Sequence, residues 1–133
     1  MLEVKNISKT FGGVKAVQDF SASVKNNEIV GLIGPNGAGK TTVLNLISGI
    51  TPIDSGEIIL DGEKLQSLNM NTIAKSGISR TYQNIRLFES LTAIENIMVA
   101  MQAINKEIRG RDRAVSHAKA IMQEFDWSED YDI

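Results

Sequence analysis

Apolar and polar residues alternate through Leu2, Val4 and Ile7 at the start of the chain and again through Phe20, Ala22 and Val24, the two-residue period of half-buried strands. Gly12-Gly13 between these stretches marks a turn. Val17 lies out of parity with Phe20, Ala22 and Val24, which predicts a bulge in a strand over 17–24. Asn26-Asn27 then closes a predicted hairpin into the β-branched run Glu28-Ile29-Val30-Gly31-Leu32-Ile33. Val43, Leu44, Leu46 and Ile47 follow at helical spacing, with Gly49 placed to end that helix. Glu57–Leu60, Asp61-Gly62 and Glu63–Leu65 read as a second hairpin, 71–75 as one or two helical turns, and 78–82 as a short strand. From Thr92 the period lengthens. Thr92 and Glu95 form a capping box ahead of Ile94, Ile97, Met98, Met101 and Ile104, and Ala114, Val115, Ala118, Ile121, Met122 and Phe125 define another amphipathic helix.

Between the β-branched run and the first helix stands Gly34-Pro35-Asn36-Gly37-Ala38-Gly39-Lys40-Thr41-Thr42. A strand, a glycine-rich turn and a helix N-terminus in that order define a phosphate-binding P-loop, or Walker A motif. Gly34, Asn36, Gly37, Ala38 and Gly39 supply a backbone that can wrap so that successive N–H groups converge on phosphate oxygens. The helix behind them adds roughly half a positive charge at its N-terminus. Lys40 can reach the β- and γ-phosphates, the Thr41 hydroxyl has the place of a Mg²⁺ ligand, and Thr42 is left for the α-phosphate side.

The chain has 133 residues, 42% hydrophobic and 23% charged, a composition able to build a core. It has no run approaching the roughly 18 apolar residues of a membrane span and no signal-peptide pattern at Met1-Leu2-Glu3-Val4, so a cytoplasmic protein is expected. With no cysteine, disulfides and thiolate metal sites are excluded. A formal charge of −2 offers no bulk attraction to nucleic acid, and any anion site must be local. His117, the only histidine, lies in the polar arc of the last helix and reads as a surface residue. Met98, Met101 and Met122 read as core packing.

Four strings standing in one order carry more than the loop alone: Ser8-Lys9-Thr10-Phe11-Gly12-Gly13, the Gly34–Thr42 loop, Ser55-Gly56-Glu57-Ile58, and Arg80-Thr81-Tyr82-Gln83-Asn84-Ile85-Arg86-Leu87-Phe88. Together they resemble the ATP-binding subunit of an ABC transporter, and the last string with Leu91-Thr92 and Glu95-Asn96 is most similar to the branched-chain amino acid importers. The resemblance implies an α/β P-loop NTPase fold of the ABC ATPase type. An N-terminal antiparallel β part, a truncated parallel core sheet and part of a helical subdomain are expected, with the nucleotide-binding core over 1–86 and the helical subdomain from 87 to 133. It further implies that Phe11 stacks on adenine and that Val17 lies beside the ribose and adenine. Gln83 matches the glutamine that contacts Mg²⁺ and the attacking water, so Lys40 and Gln83 are the implied catalytic residues, with Thr41 and Gln83 on the metal. ATP and Mg²⁺ are the implied cofactors. The implied partners are membrane-spanning subunits and a second ATP-binding subunit, on the inner face of the plasma membrane, with no nucleic acid.

The signature sequence, the Walker B Asp-Glu pair and the switch histidine of that family have no match in the 133 residues, so the chain reads as an N-terminal half that does not hydrolyse ATP efficiently by itself. The alternative is a non-enzymatic P-loop module that self-associates or binds a partner. A GTPase is disfavoured because no Asn-Lys-x-Asp motif occurs.

Overall fold

In the computed structural model, which describes residues 1–82, 87–104 and 110–125, the alternating front of the chain is a hairpin of β1 (Leu2–Phe11) and β2 (Val14–Val24) joined by Gly12-Gly13. β3 (Ser55–Leu60) and β4 (Glu63–Lys64) complete an antiparallel sheet in the order β2-β1-β3-β4. The parity break has the cause expected of it. Ile7 pairs with Phe20 but Lys9 with Val17, so β2 carries an extra residue there, and Asp19 within it adopts φ +46°. Hydroxyl groups accept the amides that the irregular pairing releases: Asp19 N donates to Ser8 Oγ at 3.0 Å and Asn6 N to Ser21 Oγ at 2.9 Å.

α1 (Lys40–Ile47) packs its Val43 and Leu46 side against the sheet, and α2 (Met70–Lys75) adds Ile73. With Val4, Ile7, Val17, Ile58 and Leu65 these make the core, each large side chain contributing about 1.5–3 kcal/mol relative to exposure. Arg80 donates to Asn45 Oδ1 at 2.5 Å, tying the segment after α2 to the α1 helix.

Two predicted strands are corrected. Residues 28–33 are not in a strand, and Asn26-Asn27 belongs to a simple turn closed by Glu28 N donating to Lys25 O at 3.2 Å. A strand exists only through its ladder, and no described residue pairs with this run. Ile29 and Ile33 are 101% and 95% exposed, although the apolar sequence is that of a strand covered on both faces. The predicted strand over 78–82 is likewise irregular in structure.

Contacts divide the chain into two units, Met1–Arg80 and Thr81–Ile133. The second holds α3 (Ala93–Ile104) and α4 (Arg111–Glu124), which pack on each other. The capping box is present in both directions: Thr92 N donates to Glu95 Oε2 at 3.1 Å and Glu95 N to Thr92 Oγ1 at 3.3 Å. Asn96 grips the turn ahead of α3, accepting from Phe88 N at 2.8 Å and donating to the Leu91 carbonyl at 3.1 Å. On α4 the buried positions are Ala114, Ala118 and Met122, a stripe at four-residue spacing. Phe125, expected on that face, is 70% exposed because the helix has ended before it. His117 is exposed, as expected. No described helix is long and apolar enough to cross a membrane.

Candidate functional site

The predicted phosphate loop is a turn followed by a helix start. Ala38 N donates to Pro35 O at 3.2 Å, Gly39 is the N-cap residue at φ +83°, and the first helical bond runs from Val43 N to Gly39 O at 2.9 Å. Glycine at 39 is required twice over. Its φ is one that L side chains avoid, and a Cβ there would lie 2.4 Å from the Ala16 carbonyl oxygen on β2. The loop therefore rests directly on the β1–β2 hairpin.

The electrostatics of this helix start are unusual. The helix N-terminus has no side-chain cap and no acid in its first turn, so nothing on its own side chains balances the dipole or the free amides of that turn. Instead its first residue is a cation, Lys40. The ammonium turns back and donates to Gly34 O and Pro35 O, each at 2.7 Å, which stiffens the loop and leaves one of its three N–H donors over. A positive helix end with a cation beside it is complementary to a polyanion. Thr41 is exposed and Thr42 half-buried in the same turn. An alcohol oxygen is a hard donor suited to Mg²⁺, which keeps waters and takes phosphate oxygens for its remaining positions. Among the described residues no group of three or more His, Cys, Asp or Glu side chains converges, so an all-protein metal cage is absent from them.

β2 leads away from this loop. Val17, beside Ala16, is buried at 7% exposure and would touch a Cβ on Gly39 at 3.6 Å; it also lines a cavity of about 180 Å³ with Ala38, Lys40 and Val43. Val14, two residues before Ala16, pairs with Phe11, so the Phe11 ring is carried roughly 7 Å further along the hairpin. That ring is half exposed at 48%. Gln83, with Asn84, Ile85 and Arg86, lies outside the described residues.

Lys9 and Asp54 were not legible as site residues. The Lys9 ammonium sits over the Phe11 ring, 5.5 Å from its centroid, and donates to Asp54 Oδ1 at 2.6 Å. Thr10 N donates to the other carboxylate oxygen at 2.8 Å. These bonds from Lys9 and Thr10 hold the Asp54 carboxyl below the ordinary aspartate range. The contribution of this tie is thus fully present above the ordinary aspartate pKa and disappears as acid carries the pH down through the lowered value. The i, i+2 spacing of Lys9 and Phe11 along one strand was a signal available in the sequence; Asp54, 45 residues away from Lys9, offered none.

The sheet, the loop resting on it and the helix behind the loop compose the N-terminal architecture of an ATP-binding cassette. The dimeric structure of MJ0796, a bacterial ABC transporter cassette, superposes with a TM-score of 0.84 at 25% identity, covering 99% of this chain and 60% of that one. The ADP conformation of MJ1267, an ATP-binding cassette of an ABC transporter, does so with 0.84 at 28% identity, covering 98% and 56%. The chain belongs to the ABC transporter family, whose model matches residues 17–132. Among curated relatives, the high-affinity branched-chain amino acid transport ATP-binding protein BraF of Pseudomonas aeruginosa is 47% identical over 100 residues, which are 75% of this chain and 39% of BraF. The lipopolysaccharide export system ATP-binding protein LptB of Escherichia coli is 38% identical over 124 residues, 93% of this chain and 51% of LptB. The chain thus spans about half the length or less of the curated relatives it matches.

Proposed function

We propose that this chain is the nucleotide-gripping portion of an ABC transporter's ATP-binding subunit, taking ATP with Mg²⁺. The observation that carries this is the helix start at Lys40, which has no cap and no first-turn acid and whose lysine braces its own loop. In this reading the amides of 34–39 and of the first turn of α1, with Lys40 and Thr42, hold the phosphates. Thr41 offers an oxygen to Mg²⁺, and Gln83 joins it from outside the described residues. Phe11 takes the base and Val17 backs the ribose. Hydrolysis and its coupling to transport belong to the complete subunit, working with a second ATP-binding subunit and membrane-spanning partners at the inner face of the membrane.

The higher identity to BraF than to LptB favours import of branched-chain amino acids over lipopolysaccharide export. For the membrane-spanning partner, Leu87 and Phe88 are exposed and border a cavity of about 380 Å³ with Leu91 and Ile97, an apolar seat at the start of the proposed helical subdomain. The test of the base assignment is Phe11→Ala. Calorimetric titration with ATP·Mg²⁺ should show a loss of about 1–3 kcal/mol if stacking here is comparable to that in single-strand binders. Unchanged affinity returns Phe11 to a packing role.

A second reading, self-association, is favoured by the almost complete exposure of Ile29 and Ile33, since an unpaired apolar run templates pairing with another chain. Light scattering of the 133-residue chain at tens of micromolar should then report species larger than a monomer. A compact monomer overturns this reading.

A further inference from the structure

An aromatic ring has two faces, and at Phe11 one of them is taken. The Lys9 ammonium lies over the ring at 5.5 Å from its centroid, on a side chain that is only 12% exposed, while the phenylalanine as a whole is 48% exposed. Lys9 has little freedom to leave, because Asp54 holds its ammonium at 2.6 Å. Asp54 is itself fixed at three points: its second carboxylate oxygen accepts from Thr10 N at 2.8 Å, and its own amide donates to Ser8 O at 3.0 Å. Asp54 is therefore locked through its amide and its carboxylate to Ser8 and Thr10, alternate residues of the strand that presents the ring, and the cation is locked to the carboxylate. A long flexible lysine beside an exposed aromatic would otherwise sample both faces of the ring and compete with any planar ligand for them.

We propose that Lys9 and Asp54 are positioning residues for the base end of the nucleotide site: Asp54 pins the Lys9 ammonium to one face of Phe11, orienting the ring and leaving its opposite face for the base. This rests on the reading of Phe11 given above. The ammonium also draws on the negative π face it covers, so that the ring meets the base from a fixed orientation and the cost of ordering it on binding is reduced.

The arrangement is tested by titrating ATP and inorganic tripolyphosphate, each with Mg²⁺, into Lys9→Met and Asp54→Asn. Both substitutions keep side-chain size and remove one charge. ATP affinity should fall about two- to tenfold in each, the size of the cost of ordering one side chain on binding, while tripolyphosphate affinity stays unchanged because it has no base. Lys9→Arg keeps a cation over the ring and should retain ATP affinity. On a Phe11→Ala background, Lys9→Met should have no further effect on ATP. Equal losses for ATP and tripolyphosphate would mean that the tie merely anchors the loop ahead of β3, and the proposal would be wrong. It would also be wrong if Phe11→Ala weakens ATP and neither Lys9→Met nor Asp54→Asn does, an outcome that leaves Phe11 as the base platform. If Phe11→Ala itself changes nothing, the base assignment fails and the positioning role falls with it.

Discussion

Lys40→Ala should reduce ATP·Mg²⁺ affinity at least about a hundredfold, the loss of roughly 3 kcal/mol expected when charge-assisted bonds to phosphate are removed. The substitution acts twice. It deletes the cation at the positive end of α1, and it releases the Gly34 and Pro35 carbonyls that the ammonium holds at 2.7 Å. Lys40→Arg separates the two effects. Its charge is kept, but a planar guanidinium does not reproduce a compact ammonium bonded to two carbonyls of one turn, so affinity should remain well below wild type. Folding stability should move little in either variant. A cation in the first turn of a helix opposes the dipole, and its removal offsets part of what the two exposed bonds contribute. Equal calorimetric affinities for wild type and Lys40→Ala, with both proteins folded by circular dichroism, would remove the loop from the nucleotide site.

What the sequence disclosed and what it hid divide along the distance over which a feature is decided. The Asp61-Gly62 hairpin, the Thr92–Glu95 capping box and the helix stop at Gly49 depend on residues within a few positions of each other, and all are present. The bulge in β2 was legible because parity is also local. The run 28–33 was not, since its β-branched composition reports a preference for a ladder and not the presence of a partner. The same holds for 78–82. Phe125 continues the apolar period of α4 by spacing, but the helix closes at Glu124 and the ring faces solvent. Within the candidate site the turn at 35–38 and the helix start at Lys40 were legible, because both are decided by residues adjacent in sequence. The hold of Asp54 on Lys9 joins β1 to the residue just ahead of β3, with the whole phosphate loop and α1 between them in sequence, and only the folded sheet brings it together.

Gly56→Ala should be the most destabilising single-methyl change in the sheet, costing at least about 3 kcal/mol. At the opposite side of the ladder, β1 carries an extra residue around Asn6, which itself adopts φ +48°. The kinked strand drives the carbonyl oxygens of Lys5 and Asn6 toward Gly56, and a Cβ added there would lie 2.5 Å from each and 2.6 Å from the Asn6 carbonyl carbon. All three are backbone atoms of a strand paired on both edges, so none can swing aside as a side chain would. Gly56 is also at φ +93°, which adds about 1–2 kcal/mol of its own for an L residue. Gly62, at φ +88° with no atom within 4 Å of an added Cβ, isolates that conformational part: Gly62→Ala should cost only about 1–2 kcal/mol. Urea denaturation of the two variants against wild type measures the difference. A domain with about 5–15 kcal/mol of total stability would keep its fold through Gly62→Ala but be substantially weakened by Gly56→Ala. Equal costs at the two positions would mean that the close approach of β1 to β3 is relieved by a backbone shift, and that the bulge at Asn6 does not require glycine across from it.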